Sequence, residues 1–212
     1  MPSNFKKVMR KLWWFLWKDD SLLSWIVNII LAFVLVKFLI YPGIGFLLGT
    51  THPVVAVVSG SMDHGLNKGE ICGITPEDYQ GSFNDYWIAC GAYYDKIGIT
   101  KEMFNEYRFK NGFNKGDIMF LKGSSLKDIE VGDVIVFDGN LKDPIIHRVV
   151  RKYVDNDAYF LQTKGDHNRD SNIGLKEDKI GEERIIGKAF FRIPFLGWVK
   201  ILAVEFIQLF GR

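Results

Sequence analysis

The chain alternates between long apolar runs and short β-like stretches, and the apolar runs lie at its two ends. Residues 21–40 (SLLSWIVNIILAFVLVKFLI) carry one charge, Lys37. Twenty helical residues rise about 30 Å, the thickness of a bilayer's hydrocarbon core. No polar face recurs, so the pattern predicts a transmembrane helix rather than the buried helix of a soluble core. Lys37 stands near the end of the run, from where its long side chain reaches the interface. The run exceeds a signal-peptide core of about 7–15 residues, and no A-x-A cleavage site follows, so a retained signal anchor is expected. Residues 41–50 stay apolar but are broken by Pro42, Gly43, Gly45 and Gly49, and read as a lead-out into the following domain.

Beyond residue 53 the period shortens. Val54 to Val58 is a β-branched run that ends in Ser59-Gly60-Ser61-Met62. Further strands are predicted over 117–121, 133–137, 145–153, 159–163 and 184–193, with a Val131-Gly132-Asp133 turn before the second of these. In 145–153 the period of two puts Ile145, His147, Val149 and Arg151 on one face. Residues 164–172 (KGDHNRDSN) form a polar loop.

Residues 67–112 break this rhythm and read as an insertion, aromatic-rich and without clean alternation. A short helix is expected over 101–110, with Met103, Phe104 and Tyr107 on one side. The edges of the insertion echo each other, Gly65-Leu66-Asn67-Lys68-Gly69-Glu70-Ile71 against Gly112-Phe113-Asn114-Lys115-Gly116-Asp117-Ile118; duplication and chance both account for that. At the other end, 194–210 is apolar but holds Lys200, Glu205 and Gln208. That is short for a span, and an amphipathic helix lying in the interface is expected, with a second span as the alternative.

Charge adds an orientation. Lys6, Lys7, Arg10, Lys11 and Lys18 precede the apolar run, so the positive-inside rule places the N-terminus in the cytoplasm and the bulk of the chain outside. Trp13, Trp14 and Trp17 suit an interfacial belt. The net charge of +2 gives no reason to expect nucleic acid. Cys72 and Cys90 are the two cysteines; no CxxC pair exists, so no metal is expected. Two buried thiols and a disulfide closing a short loop are both open readings.

The chemistry sits in the polar positions of the β region. A serine hydroxyl needs a base within hydrogen-bond reach and donors for the oxyanion that develops. Ser61 at a strand end, His147 in a strand, and Asp166 and Asp170 in the polar loop make the inventory for Ser-His-Asp catalysis. His52, His64 and His167 are the other histidines and supply alternative bases.

These motifs together resemble type I signal peptidases of the archaeal and endoplasmic-reticulum branch. Ser59-Gly60-Ser61-Met62 is similar to that family's nucleophile box. Gly116-Asp117-Ile118 and 131–137 resemble its next strands, and Ile146-His147-Arg148-Val149 its base box. Thr163-Lys164-Gly165-Asp166-His167-Asn168 resembles its acidic loop, and Ile193-Pro194-Phe195-Leu196-Gly197 its closing segment. The bacterial branch has lysine where His147 stands, so the resemblance implies a Ser-His mechanism, under which Lys122 and Lys164 become ordinary loop lysines. The loop departs from the pattern: where a second aspartate is usual, six residues after the first, stands Asn172. Asp170 is placed ahead of Asp166 as the residue that orients His147, with neither of them as the remaining alternative. Ser59 is implied as an oxyanion donor, and Val57, Val58, Ile145 and Ile146 as the ledges that hold substrate.

The expected architecture is mainly β, a signal-peptidase-like catalytic β domain with an N-terminal transmembrane helix and a C-terminal membrane-associated helix. Its parts are a cytoplasmic basic segment (1–20), an anchor (21–41), the catalytic domain (42–193, with insertion 67–112) and the terminal helix (194–212). The implied activity is removal of signal peptides from secretory precursors without a cofactor. The implied location is the plasma membrane of an archaeal-type cell or the endoplasmic reticulum membrane, with the catalytic domain on the non-cytoplasmic side. Expected partners are signal peptides, the lipid bilayer, and a translocon or accessory subunits. The alternative is an anchored β domain that binds peptides or a translocon without cleaving.

Overall fold

The computed structural model describes residues 2–198 and 201–202. They fall into two units that divide between Leu47 and Leu48.

The first unit is helical. Helix α1 (Pro2–Lys18) contains the basic residues and tryptophans of the N-terminal segment, for which no helix was expected. Ser21 caps the next helix by accepting from the Ser24 N–H at 3.2 Å. Ser24 Oγ and Asn28 Nδ2 then donate to the carbonyls of Phe15 and Leu16, at 2.6 and 2.9 Å, and tie the two helices together. Helix α2 (Leu22–Leu48) is long and apolar enough to cross a membrane, and its apolar side chains are exposed along its length.

The expected break at Pro42 does not occur. A wide π-helical turn over Val36–Ile40, in which the Tyr41 N–H reaches back to the Val36 carbonyl, precedes the proline. Proline removes one N–H and crowds the carbonyl four residues earlier. A turn with a longer hydrogen-bond reach absorbs both, and the helix continues through the glycines to Leu48.

The second unit is built on a six-stranded antiparallel sheet in the order β1-β2-β6-β3-β4-β5. The strands are β1 (Val54–Ala56), β2 (Ile118–Lys122), β3 (Val134–Phe137), β4 (Ile145–Asp155), β5 (Ala158–Lys164) and β6 (Ile185–Ile193). All five strands predicted after the first are present, with ends shifted by one or two residues. β1 is shorter than the 54–58 run, but Val57 continues its pairing through bonds to the Asp117 carbonyl and from the Gly116 N–H, each 2.8 Å.

Val57, Met62, Phe113, Met119, Leu121, Val134, Val136, Ile146 and Ala189 form one core cluster. Leu126, Ile129, Ile135, Phe137, Val149, Leu161 and Ile180 form a second. The stretch His147 to Val150 is buried on both faces, so its alternation is hidden. Val149 packs into the second cluster, whereas Val150 packs into a third made mostly by the insertion, with Ile71, Tyr86, Cys90, Tyr94, Ile99 and Phe104. A register shift between Val149 and Arg151 turns Val150 toward the insertion.

The insertion carries helices α3 (Phe83–Lys96) and α4 (Lys101–Glu106). α3 begins with a reciprocal Ser82–Asp85 capping box, and α4 is capped by Thr100 and ends sooner than the 101–110 run suggested. Cys72 and Cys90 are joined in a disulfide, which resolves the two readings of the cysteines. Pro194 to Gly197 form a turn, docked on the segment before β2 by Gly197 N–H to the Gly116 carbonyl at 2.7 Å. Of the expected C-terminal helix, Trp198, Ile201 and Leu202 are helical, and 199–200 and 203–212 lie outside the described residues.

Candidate active site

Ser61 stands in a turn just past β1, closed by Asp63 N–H to the Gly60 carbonyl at 3.0 Å. Its Oγ is 2.9 Å from His147 Nε2 and 3.1 Å from Ser59 Oγ. His147 is held in β4 opposite Ile135 of β3, so the sheet register fixes where its ring stands. The ring is 4% exposed by residue, while Ser61 is half-buried at the rim.

The partner of His147 Nδ1 is Glu177, not Asp170 or Asp166. Glu177 is wholly buried. Its Oε1 also accepts from Thr163 Oγ1 at 3.1 Å, and its Oε2 accepts from the Asn172 N–H at 2.6 Å. The Thr163 N–H donates to the Glu177 carbonyl at 2.9 Å, so β5 binds both the backbone and the side chain of this residue. A carboxylate on Nδ1 makes that nitrogen the donor, which leaves Nε2 as the acceptor facing the Ser61 hydroxyl.

The two expected aspartates lie elsewhere. Asp170 is 67% exposed and its nearest charge is Arg169, 3.5 Å away. A solvated loop carboxylate cannot orient a buried ring it does not touch. Asp166 is fully buried, but its oxygens are occupied by other groups. Arg148 grips it in a fork, Nε to Oδ1 at 2.9 Å and Nη2 to Oδ2 at 2.6 Å. His64 Nε2 lies 3.0 Å from Oδ2, and Tyr94 OH donates to Oδ1 at 3.3 Å. Burial alone would raise the Asp166 pKa, but Arg148 and His64 hold it well below the usual carboxylate range.

Arg148 itself is closed off. Its remaining N–H groups go to the carbonyls of Arg108, Gly132 and Phe109, and its guanidinium lies 4.7 Å above the Phe104 ring. Asp166 with Arg148 is therefore a structural ion pair under the site, joining the sheet to the insertion.

Lys164 is not a loop lysine. It is the last residue of β5, its side chain is buried, and Nζ donates to the Gly165 and Asp166 carbonyls at 3.1 and 3.3 Å. It also lies 5.1 and 5.0 Å from the ring centres of Tyr93 and Tyr94. Burial lowers its pKa to about 8, against the opposing pull of Asp166.

The other histidines are committed away from Ser61. His64 stacks on Tyr86 at 3.5 Å, His52 Nδ1 meets Thr51, and His167 Nδ1 meets the Asp63 carbonyl at 3.1 Å.

Among the expected ledge residues, Val57 and Ile146 turn into the first core cluster, Ile145 packs on the second, and Val58 is exposed. Two backbone edges remain open near Ser61. Among the described residues, β1 is an outer strand of the sheet, and β4 pairs with β5 only from Arg148 onward, leaving one edge of Ile145, Ile146 and His147 without a strand. Gly165 completes the site: a Cβ there would come within 2.6–2.8 Å of Asn168 Nδ2, the Ser61 carbonyl and His147 Nε2.

Glu177 was missed because nothing local marks it. It follows the acidic loop by several residues, beyond a short 3-10 turn (Ile173–Leu175). The loop's departure, Asn172 in the place of the family's second aspartate, was the one local signal, and it pointed within the loop rather than to Glu177.

Fold and site together define a β domain carrying a Ser-His-carboxylate row, in a chain whose helix α2 has membrane-spanning length. No family model matches the chain. It is similar to the signal peptidase complex catalytic subunit SEC11 of Fusarium vanettenii, 41% identical over 98 residues, which cover 44% of this chain and 57% of that one. The subunit of the same name from Colletotrichum graminicola is 38% identical over 99 residues, 44% of this chain and 58% of that one. That from Neurospora crassa is 39% identical over 98 residues, with 44% and 57% covered. The match thus spans a little over half the length of these curated relatives.

Proposed function

We propose that the protein is a membrane-bound serine endopeptidase that removes signal peptides from secretory precursors. The observation that carries this reading is the continuous row Ser61 Oγ, His147 Nε2, His147 Nδ1, Glu177. The likeness to signal peptidase catalytic subunits supports the substrate class.

In this mechanism Ser61 Oγ attacks the scissile carbonyl while His147 Nε2 takes its proton. Glu177 holds the ring in the tautomer that can accept that proton and stabilises the imidazolium that forms. The Ser61 N–H and the Ser59 hydroxyl stabilise the oxyanion. His147 then returns the proton to the leaving amine. A water enters, gives its proton to His147 and attacks the acyl carbonyl, and Ser61 leaves as the alcohol with the proton from His147.

The substrate is the extended end of a signal peptide. Its backbone adds to the open edge of β1 and to the free edge at Ile145 and Ile146, a strand-addition mode in which alternate side chains reach shallow apolar pockets. We assign residues 42–193 to the catalytic part, with 67–112 as an insertion, 21–41 to the anchor, 1–20 to a cytoplasmic segment and 194–212 to a membrane-associated end. The anchor raises the effective concentration of the site toward substrates held in the same bilayer. The disulfide supports a non-cytoplasmic position for the catalytic part. The likeness to catalytic subunits of a complex supports accessory subunits as partners, and the location in this reading is an endoplasmic-reticulum membrane or the plasma membrane of an archaeal-type cell.

The test is processing of a secretory precursor by the detergent-solubilised protein. Cleavage is expected in the wild type and absent in Ser61→Ala and His147→Ala. Wild-type cleavage in either variant contradicts the assignment, and peptide binding without cleavage in the wild type would favour a binding domain.

A further inference from the structure

The turn that carries Ser61 is held by its backbone carbonyls. Ser61 O accepts from the His167 N–H at 2.9 Å, and Met62 O from the Phe113 N–H at 3.0 Å. Asp63 O meets His167 Nδ1 at 3.1 Å, and His64 O accepts from the Tyr79 hydroxyl. Four consecutive carbonyls are thus fixed from outside the turn. Tyr79 belongs to the insertion and Phe113 to its exit. The remaining donor, His167, is itself gripped: its carbonyl accepts from the Cys72 N–H at 3.0 Å.

Cys72 is in turn bonded to Cys90, a buried residue in the middle of α3. α3 also holds the neighbouring residue of the loop, because Tyr86 OH donates to the Asp166 carbonyl at 3.0 Å and Tyr94 OH to Oδ1. Tyr86 and Tyr94 are fully buried and 3.0 Å apart through their hydroxyls. A rigid aromatic cluster therefore stands behind the loop, and the loop stands behind the nucleophile.

We infer that the 67–112 insertion is a brace for the nucleophile turn, and that Cys72, latched by its disulfide, is a positioning residue that acts on Ser61 through His167. This rests on Ser61 being the nucleophile. Attack requires the oxygen to stand at near-contact distance in line with the carbonyl, and a misplacement of about 1 Å lowers the rate on the order of a hundredfold. With the latch open, Cys72 loses its covalent tie to α3 and His167 loses its fixed donor. The turn then samples positions in which Ser61 Oγ is off the line to His147 Nε2. The open edges of β1 and β4 do not depend on the latch, so substrate binding is preserved.

The test is active-site titration of the full chain in detergent with an acylating peptide ester, reading both the amplitude and the rate of Ser61 acylation. It is run before and after dithiothreitol, which reduces the bridge to two thiols and closes into its own cyclic disulfide. Reduced protein is expected to acylate to full amplitude at a rate at least tenfold lower, with KM for a peptide substrate unchanged. Tyr79→Phe, which keeps the disulfide, is expected to lower the rate in the same sense and decides the matter if reduction unfolds the domain. An unchanged rate in folded reduced protein, or in Tyr79→Phe, overturns the inference. So does a reduced amplitude with an unchanged rate in the remaining molecules, which is partial unfolding. Absence of acylation in the oxidised wild type would instead contradict the reading of Ser61 itself.

Discussion

Glu177 closes the row behind His147, although the two residues are thirty apart in the chain. Each carboxylate oxygen of Glu177 has a further donor, Thr163 Oγ1 on one and the Asn172 N–H on the other, so the carboxylate cannot swing away from the ring. Glu177→Gln presents an amide that no longer fixes the tautomer, and kcat is expected to fall by about 10²–10⁴-fold with little change in KM. Asp170→Asn, in the exposed loop, is expected to stay within about twofold of the wild type, as surface changes do. Steady-state kinetics on one signal-peptide substrate checks both, and the reverse ranking would return Asp170 to the role the sequence suggested.

Asp166 carries stability rather than proton transfer. Removing its charge leaves Arg148 buried and unpaired, so Asp166→Asn is expected to destabilise by about 3–5 kcal/mol in denaturant unfolding. Because the folded carboxyl titrates well below its ordinary value, its contribution is present above the usual carboxylate range and is lost as pH falls below it. A pH series of unfolding midpoints checks this: the wild type is expected to lose stability below about pH 4, and the variant to lack that component.

Lys164 gives the opposite signature. Its amine titrates at about 8 in the folded protein against an ordinary 10.5. Below pH 8 both folded and unfolded chains hold the proton. Between about 8 and 10.5 the unfolded chain binds a proton that the folded chain has released, so stability rises with pH through that window. The difference in unfolding free energy between wild type and Lys164→Met is expected to grow in favour of the wild type across it. A flat difference would show that the amine is solvated.

Legibility in the sequence followed the range of each interaction. The strands, the apolar helix and the positions of Ser61 and His147 were readable because local period and local motif specify them. The helix through Pro42 was not, because a wide turn earlier in the chain compensates for the missing N–H. Lys164 read as a loop residue because the aromatic wall that buries it comes from the insertion. Glu177 drew no reading from the sequence, because its place under His147 is set by pairing of its backbone with Thr163, a tertiary contact without a local signature.

Gly165 marks how closely the acidic loop approaches the chemistry. An alanine Cβ would fall 2.8 Å from His147 Nε2 and 2.7 Å from the Ser61 carbonyl. Both neighbours belong to fixed elements and neither is the flexible end of a side chain. Gly165→Ala is expected to lower kcat by about 10²-fold by displacing the pair, while far-ultraviolet circular dichroism stays that of the wild type. Wild-type kcat in this variant would show that the loop is free to withdraw.

The central claim is that Ser61 becomes covalently acylated with His147 as its base. Mass spectrometry of the protein, digested after brief exposure to an acylating signal-peptide ester, reads this directly. The acyl group is expected on the peptide that contains Ser61, absent in Ser61→Ala and formed at least a hundredfold more slowly in His147→Ala. An adduct on any other residue, or equal labelling in His147→Ala, would contradict it.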